Sequence, residues 1–285
     1  MFCRKLSGPL VLGIFLAASM VEAFAFDESK YPDWSGQWRV VGGNRWDPTK
    51  PQRRGQNPPL LPQYQAIFEA SIADQDAGGQ GNDHRYRCLP AGMPRVMTAI
   101  FPFEFVILPN LTYVIFENTV PRRIYTDGRN FASWPKPDTE PAFLGYSIGK
   151  WIDEDGDGRY DVLEIETRGP FKGPRAMDQS GIPVHENNAT IVKERLYRDK
   201  QNKELFHDDV TTIDDAFTQP WTVKKTFRRE PEDREWVDNT CEEGNNYVAI
   251  GKEIYYLSGE GDLMPAKKDQ EPPDLKYFKR GTAQK

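Results

Sequence analysis

The chain has 285 residues, 38% of them hydrophobic and 12% aromatic, and a net charge of −6 at pH 7. That length suits one large domain or two small ones, with a sizeable core. The acidic balance and the lack of a long basic stripe argue against nucleic acid and against an anionic membrane surface as partners.

Arg4 and Lys5 precede the apolar run LVLGIFLAASMV, Leu10 to Val21, and Ala23-Phe24-Ala25 follows it. A charged start, a short apolar middle and small residues at the cut predict a secretory signal peptide over residues 1–25. The protein is therefore expected in the periplasm or outside the cell. The run is short for a bilayer span, and no other stretch is apolar enough. No stable membrane insertion is expected after cleavage. Loss of Arg4, Lys5 and Glu22 takes the net charge of −6 down by one more unit. Residues 26–285 are expected to form a single β-barrel domain.

Cys3 leaves with the signal, and Cys88 and Cys241 remain. In an oxidising compartment such a pair is expected to bridge. The bridge would close a loop of about 150 residues, for which chain entropy gives roughly 5 kcal/mol as an upper figure. Two free thiols are the alternative.

Asp33-Trp34-Ser35-Gly36 reads as a turn into a short strand, Gln37 to Val41. The stretch Gly42 to Pro59 is rich in Gly, Pro and charge and predicts an exposed loop. Pro62 at the start and Gly78 beyond the end bracket one helix, Pro62 to Asp74. A second loop carries His84 and Cys88. From Phe101 the period changes to two. FPFEFVILP, TYVIFENTV, RRIYTDGR, GYSIGKWID, DVLEIETR, TIVKERLYR, ELFHDDVTTI, WTVKKTFRR and NYVAIGKEIYYLS all alternate, with short polar connections. This pattern predicts about ten antiparallel strands. Closure into a barrel would remove the exposed edges of so long a meander. The Pro-rich tail from Met264 reads as an extended segment on the surface.

The stretch WIDEDGDGRYDVLEIET places Asp153, Asp155, Asp157 and Asp161, with Gly158 and Glu164, on the spacing of a calcium loop. Calcium takes six to eight oxygens, alternate side chains point at it, and Gly permits the sharp turn. Arg159 would supply a backbone carbonyl. The flanks alternate as strands, so the expected structure is a calcium-type loop at a hairpin tip. A solvated acidic turn is the alternative. No zinc or nucleotide cofactor is expected: zinc-binding histidine pairs and nucleotide-binding glycine loops are missing.

Several stretches together resemble a family of exported bacterial proteins of unknown function: PDWSGQW, PLLPQYQAIFEA, CLPAGMPRVM, FPFEFVILP, RRIYTDGR, GYSIGKW, TIVKERLYR and FTQPWTVKKTFRR. The resemblance runs from about Asp33 to Phe278 and implies a lipocalin-like β-barrel. Members of that family often carry W-E-G-D-T where this chain has DEDGDG, and His where it has Tyr146. The resemblance implies a compartment and a fold and brings no activity with it.

A barrel of this size can hold a small, largely apolar molecule in its mouth. Phe105, Tyr113, Tyr146, Trp151 and Trp221 are candidates to line such a site, and the plainer reading of the same aromatics is core. The alternative function is a cofactor-free hydratase, isomerase or hydrolase on a lipid- or terpenoid-like substrate. For it, His185 or Glu194 would move a proton while Arg123 and Tyr125 stabilise charge. An Arg123–Glu194 structural ion pair is the plainer reading. A third reading is a cell-envelope interaction protein with Gly42–Pro59 and Arg168–Asn188 as exposed contact loops.

Overall fold

The structure, a computed structural model, describes residues 26–87, 89–232, 234–236, 247–250, 253–257 and 262–271. Residues 1–25, Cys88 and Cys241 lie outside the described residues, and with them the expected signal peptide and disulfide.

Nine strands close into a barrel: β1 (Trp38–Val40), β2 (Phe103–Leu108), β3 (Leu111–Phe116), β4 (Arg122–Tyr125), β5 (Tyr146–Ile152), β6 (Val162–Arg168), β7 (Ile191–Arg198), β8 (Leu205–Ile213) and β9 (Trp221–Arg229). They pair in chain order. Closure comes from β1, where Trp38 faces Phe103 of β2 on one side and Arg229 of β9 on the other. The long strands bury every second residue. In β7, for example, Val192, Glu194 and Leu196 are buried while Lys193 is exposed. Period-two patterning of this kind fixes which side chains face inward.

The expected all-β barrel is present, with two differences. First, β4 and β5 run parallel, through Ile124↔Ser147 and Tyr125↔Ile148. The chain bends at Asp127-Gly128, where Gly128 has φ +82°, and continues to Tyr146 before the next strand begins. That longer crossover returns the chain to the starting end of β4, as a parallel pair requires. Trp134 in the crossover packs edge-on against Tyr125 and Tyr146, with ring centroids 5.0 and 5.2 Å away. Second, NYVAIGKEIYYLS does not join the barrel. It folds into β10 (Tyr247–Ile250) and β11 (Glu253–Leu257), which pair with β12 (Leu263–Pro265) in a separate antiparallel sheet. Alternation predicts a strand and says nothing about which sheet receives it.

The helix α1 spans Pro62–Asp76, two residues beyond the expected end, with Pro at its first turn. It buries Phe68, Ser71 and Ile72. Among the described residues no helix is long and apolar enough to cross a membrane.

The loops expected to be exposed are instead packed. Within Gly42–Pro59, Trp46 and Gln56 have no exposed surface, and within Arg168–Asn188 the same holds for Met177 and Ile182. Polar side chains make this burial affordable by serving their own backbone. Gln56 accepts from Asp47 N at 2.6 Å and donates to Pro51 O at 2.8 Å. Asp178 accepts from Trp46 N at 3.2 Å and from Ser180 Oγ at 2.5 Å, which ties the two loops together. Burial pushes the Asp178 carboxyl above its ordinary range.

Candidate functional site

The barrel interior is packed with protein side chains. At one end Trp34, Trp38, Phe105 and Phe206 touch one another, with centroids 4.8 Å apart for Trp34–Phe206 and 5.1 Å for Phe105–Phe206. Trp151 joins this end against Trp34, at 4.9 Å. At the other end Trp221 packs on Trp46 and Phe217, both at 6.0 Å. Between them lies a polar band of Arg122, Ser147, Thr167, Glu194, Asp208 and Lys225, all buried. Arg122 Nη1 donates to Glu194 Oε1 at 2.8 Å, and its Nη2 donates to Glu194 Oε2 and, at 2.9 Å, to Thr167 Oγ1. Lys225 Nζ donates to Trp46 O at 2.5 Å and sits 4.1 Å from the centre of the Trp46 ring. Asp208 has no exposed surface, and among the described residues neither of its carboxylate oxygens has a hydrogen-bond partner.

This arrangement corrects the expected ion pair. Glu194 pairs with Arg122, and Arg123 points outward. The signal was present in the sequence: Ile124 must face the core, and Arg122 shares its face. Arg123 instead lies on the outer surface with Tyr113, its Cζ 5.8 Å from the ring centre. The two border a shallow hollow of about 400 Å³ with Val106, Ile115 and Pro121. Tyr125 packs under Trp134 and the Arg129 guanidinium, and Tyr146 donates its hydroxyl to Glu140 O at 2.5 Å. The four residues proposed for acid–base chemistry therefore do not converge. Glu194 is inside the barrel, His185 is beside α1, and Arg123 and Tyr125 are on the outer face. The five candidate ligand-lining aromatics divide in the same way. Phe105, Trp151 and Trp221 fill the two ends, and Tyr113 and Tyr146 face out.

A different recess brings chemistry together. A groove of about 890 Å³ runs between α1, the segment Gly81–His84 and the segment Phe171–Asn188. Ser71 on α1 holds both segments in place: its Oγ donates to Ser180 O at 3.0 Å and accepts from Asn82 N at 2.9 Å. Gly181, at φ +80°, brings its backbone against that hydroxyl, where a side chain would collide. Gln75 Nε2 adds a bond to Gln179 O at 2.9 Å.

Two of the three histidines line this groove. His84 is 4% exposed, and its Nε2 lies 3.0 Å from Pro90 O and 3.2 Å from Ala91 O. Burial, and then the Arg95 charge, lower its pKa from the ordinary value. Beside it Asp83 is engaged by Arg95, whose Nη2 donates to Oδ2 at 2.7 Å. His185 packs on Tyr64 with ring centroids 5.7 Å apart, and its Nδ1 accepts from Asn187 N at 3.0 Å. Arg175 donates to His185 O at 2.7 Å and to Thr190 Oγ1 at 2.9 Å, while its Cζ sits 4.2 Å above the Phe171 ring. Burial lowers the Arg175 pKa from its usual value. Sequence reasoning found His185 and passed over His84, because nothing in the pattern NDHR distinguishes a groove histidine from a loop histidine.

The third histidine stands apart. His207 Nε2 lies 3.0 Å from Asp199 Oδ2, and its Nδ1 lies 3.1 Å from Thr226 Oγ1. It braces the β7–β8 hairpin against β9.

The acidic loop forms at the tip of the β5–β6 hairpin. Asp153 accepts from Gly156 N at 2.7 Å and from Gly158 N at 2.9 Å. Oxygens of Asp153, Asp155 and Asp161 lie within 4.8 Å of one another. Asp157 accepts from Arg159 N at 2.8 Å. Glu164 stands on β6, opposite Lys150 and Arg195 in the register. Among the described residues only the three aspartates form a group that could hold an ion.

Comparison of the chain with protein-family models, with curated proteins and with solved structures finds no match.

Proposed function

We propose that the protein is an exported binding protein for a small, largely apolar molecule. In this reading the barrel is the scaffold, and the ligand seats in the groove beside α1. The observation that carries it is the groove itself. Its volume of about 890 Å³ lies in the range of small-molecule sites, and its lining is shared about evenly between apolar and polar surface. Tyr64, Ile67 and Val184 supply apolar surface, and His84, His185 and Arg175 supply polar atoms. The barrel is filled by its own side chains, so the expected seat in the barrel mouth is given up, and this reading puts the ligand in the groove instead. The test is native mass spectrometry of protein purified gently from its source. A bound organic mass that disappears in Ile67→Arg supports the reading. Ile67 is 44% exposed, so this substitution charges the groove and leaves the core intact. A bare polypeptide mass, or a ligand that Ile67→Arg retains, counts against it.

A structural calcium ion at the β5–β6 tip is a second proposal, favoured by the approach of Asp153, Asp155 and Asp161. Three carboxylates so close repel one another without a cation. The melting temperature is expected to be higher in millimolar calcium than in excess EDTA. Equal values would end this reading.

A further inference from the structure

We propose that β2 borders an open seam in the barrel wall and that a second copy of this chain pairs with it there, β2 against β2, antiparallel about a two-fold axis at Val106. This surface is separate from the groove and does not depend on it.

The parity of the β2–β3 hairpin identifies the free backbone groups. Leu108 faces Leu111 across the two-residue turn Pro109-Asn110, so that pair closes the ladder. At the other end Glu117 N donates to Pro102 O at 3.2 Å. Bonded positions alternate along a strand, so Pro102, Glu104, Val106 and Leu108 turn their backbone groups to β3. Phe103, Phe105 and Ile107 turn theirs to the opposite edge. There Phe103 meets Trp38 of β1, and the pairing of β1 with β2 ends at that one pair. Among the described residues no backbone partner reaches Phe105 or Ile107 on this edge.

Gly36 accounts for the opening. The register would set Gly36 opposite Phe105 and Trp34 opposite Ile107 if β1 continued backwards. Gly36 instead takes φ +87°, and the chain leaves β2. Arg198 Nη1 donates to Asp33 O at 2.6 Å and Arg229 Nη2 to Ser35 Oγ at 3.3 Å, which holds the turn toward β7 and β9. The Trp34 ring packs behind Phe105, with centroids 4.9 Å apart. Gln37 closes the seam at its near end, where its Nε2 donates to Glu104 Oε1 at 3.1 Å and to Arg234 O at 2.8 Å. The open stretch is Phe105 to Leu108.

Proteins guard free edges with Lys, Pro or a bulge. This stretch, FVIL, has none of these, and Val106 and Leu108 are 37% and 41% exposed. It is also complementary to itself. A two-fold axis at Val106 sets Phe105 opposite the second copy's Ile107, and Ile107 opposite the second copy's Phe105. Both are hydrogen-bonding positions, so each facing pair exchanges two bonds and every free group is met. Val106 meets its own copy in the pair between them, apolar against apolar. Glu104 falls opposite the second copy's Leu108, so no like charges face each other.

The test is sedimentation of the full chain together with a cross-link that reads the register. A two-chain species should grow with concentration between about 1 and 100 µM, as mass action requires. Val106→Lys places two ammonium groups opposite each other across the axis and should leave a single-chain mass. Val106→Thr, uncharged and of strand-forming type, should keep the dimer. Under oxidation Val106→Cys should lock into a disulfide-linked dimer, because a facing non-bonded pair has its Cα atoms about 4.5 Å apart, within disulfide reach. Leu108→Cys, equally exposed but facing Glu104, should cross-link no more than the parent chain, which retains its own cysteines as the background. A single-chain mass throughout the range, with no cross-link in Val106→Cys, overturns the proposal. So does a dimer that Val106→Lys leaves intact, or a Leu108→Cys cross-link as strong as that of Val106→Cys.

Discussion

Arg122 and Glu194 meet inside the barrel as a two-pronged ion pair, Nη1 donating to Oε1 at 2.8 Å and Nη2 to Oε2. Ser147, Thr167 and Met97 Sδ receive the remaining guanidinium hydrogens. Arg122→Met would leave a carboxylate alone in an interior that already holds Asp208. A stability loss of about 3–5 kcal/mol is expected in urea denaturation. The double variant Arg122→Met/Glu194→Leu should recover most of it, because no charge is then stranded. A single-variant loss of only ~1 kcal/mol, the scale of an exposed pair, would contradict the burial of this pair.

Asp208 sets a pH dependence. Burial, and then the Glu194 charge, push its carboxyl well above the usual 3.8. The folded state therefore binds this proton more tightly than the unfolded chain. Its contribution to stability is full below 3.8 and is lost as pH rises toward the folded pKa. Lys225 acts in the opposite sense at higher pH. Burial lowers its pKa from 10.5 to about 8, so stability recovers between those values. Asp208→Asn should gain stability relative to the parent as pH rises above 4. Urea midpoints at pH 4, 6 and 8 measure this, and parallel profiles for the two proteins would refute it.

The Asp199–His207 pair predicts a low-pH signature. Hydrogen bonds from His207, Asn202 and Gln201 hold the Asp199 carboxyl at about 2, down from 3.8. A depressed carboxylate contributes stability above the unfolded value and loses it as pH falls through the folded one. In His207→Phe the Asp199 carbon resonance should titrate closer to 3.8. An unchanged midpoint would show that the backbone hydrogen bonds alone hold it down.

Trp46 tests whether a loop of apparently exposed composition is core. Its ring has no exposed surface and covers the Lys225 ammonium. Trp46→Ala is expected to cost about 3–5 kcal/mol, a fall in Tm on the order of 10 °C. A change of only a degree or two would show that the loop packs on the barrel without supporting it.

Much of the barrel was legible because alternation is a local property. The pattern in TIVKERLYR puts Val192, Glu194 and Leu196 on one face, and the structure buries those three. What periodicity cannot carry is the identity of a strand's partner. Tyr247–Leu257 alternates like a barrel strand and pairs elsewhere, and the parallel β4–β5 contact depends on a crossover whose course no dipeptide encodes. The groove was the least legible part. His84 and His185 are far apart in sequence, and Ser71 joins their segments through bonds to Ser180 O and Asn82 N that no motif announces. The glycine- and proline-rich stretches read as solvent-facing because their polar side chains were counted as exposed. Gln56 and Asp178 spend theirs on buried backbone instead.

The pairing of β1 with β9 through Arg39↔Arg228 and Val40↔Phe227 has a kinetic consequence. The seam joins residues nearly two hundred positions apart in the chain, so the last contact to form is among the most distant. Until Trp221–Arg229 is in place, β8 and β1 both present open edges to any other strand in reach. A ribosome delivering this chain from its N-terminus therefore releases an open sheet first. The slowest folding step and the greatest risk of aggregation should coincide at the arrival of β9. Truncations ending before Trp221 are the forms in which that risk becomes permanent.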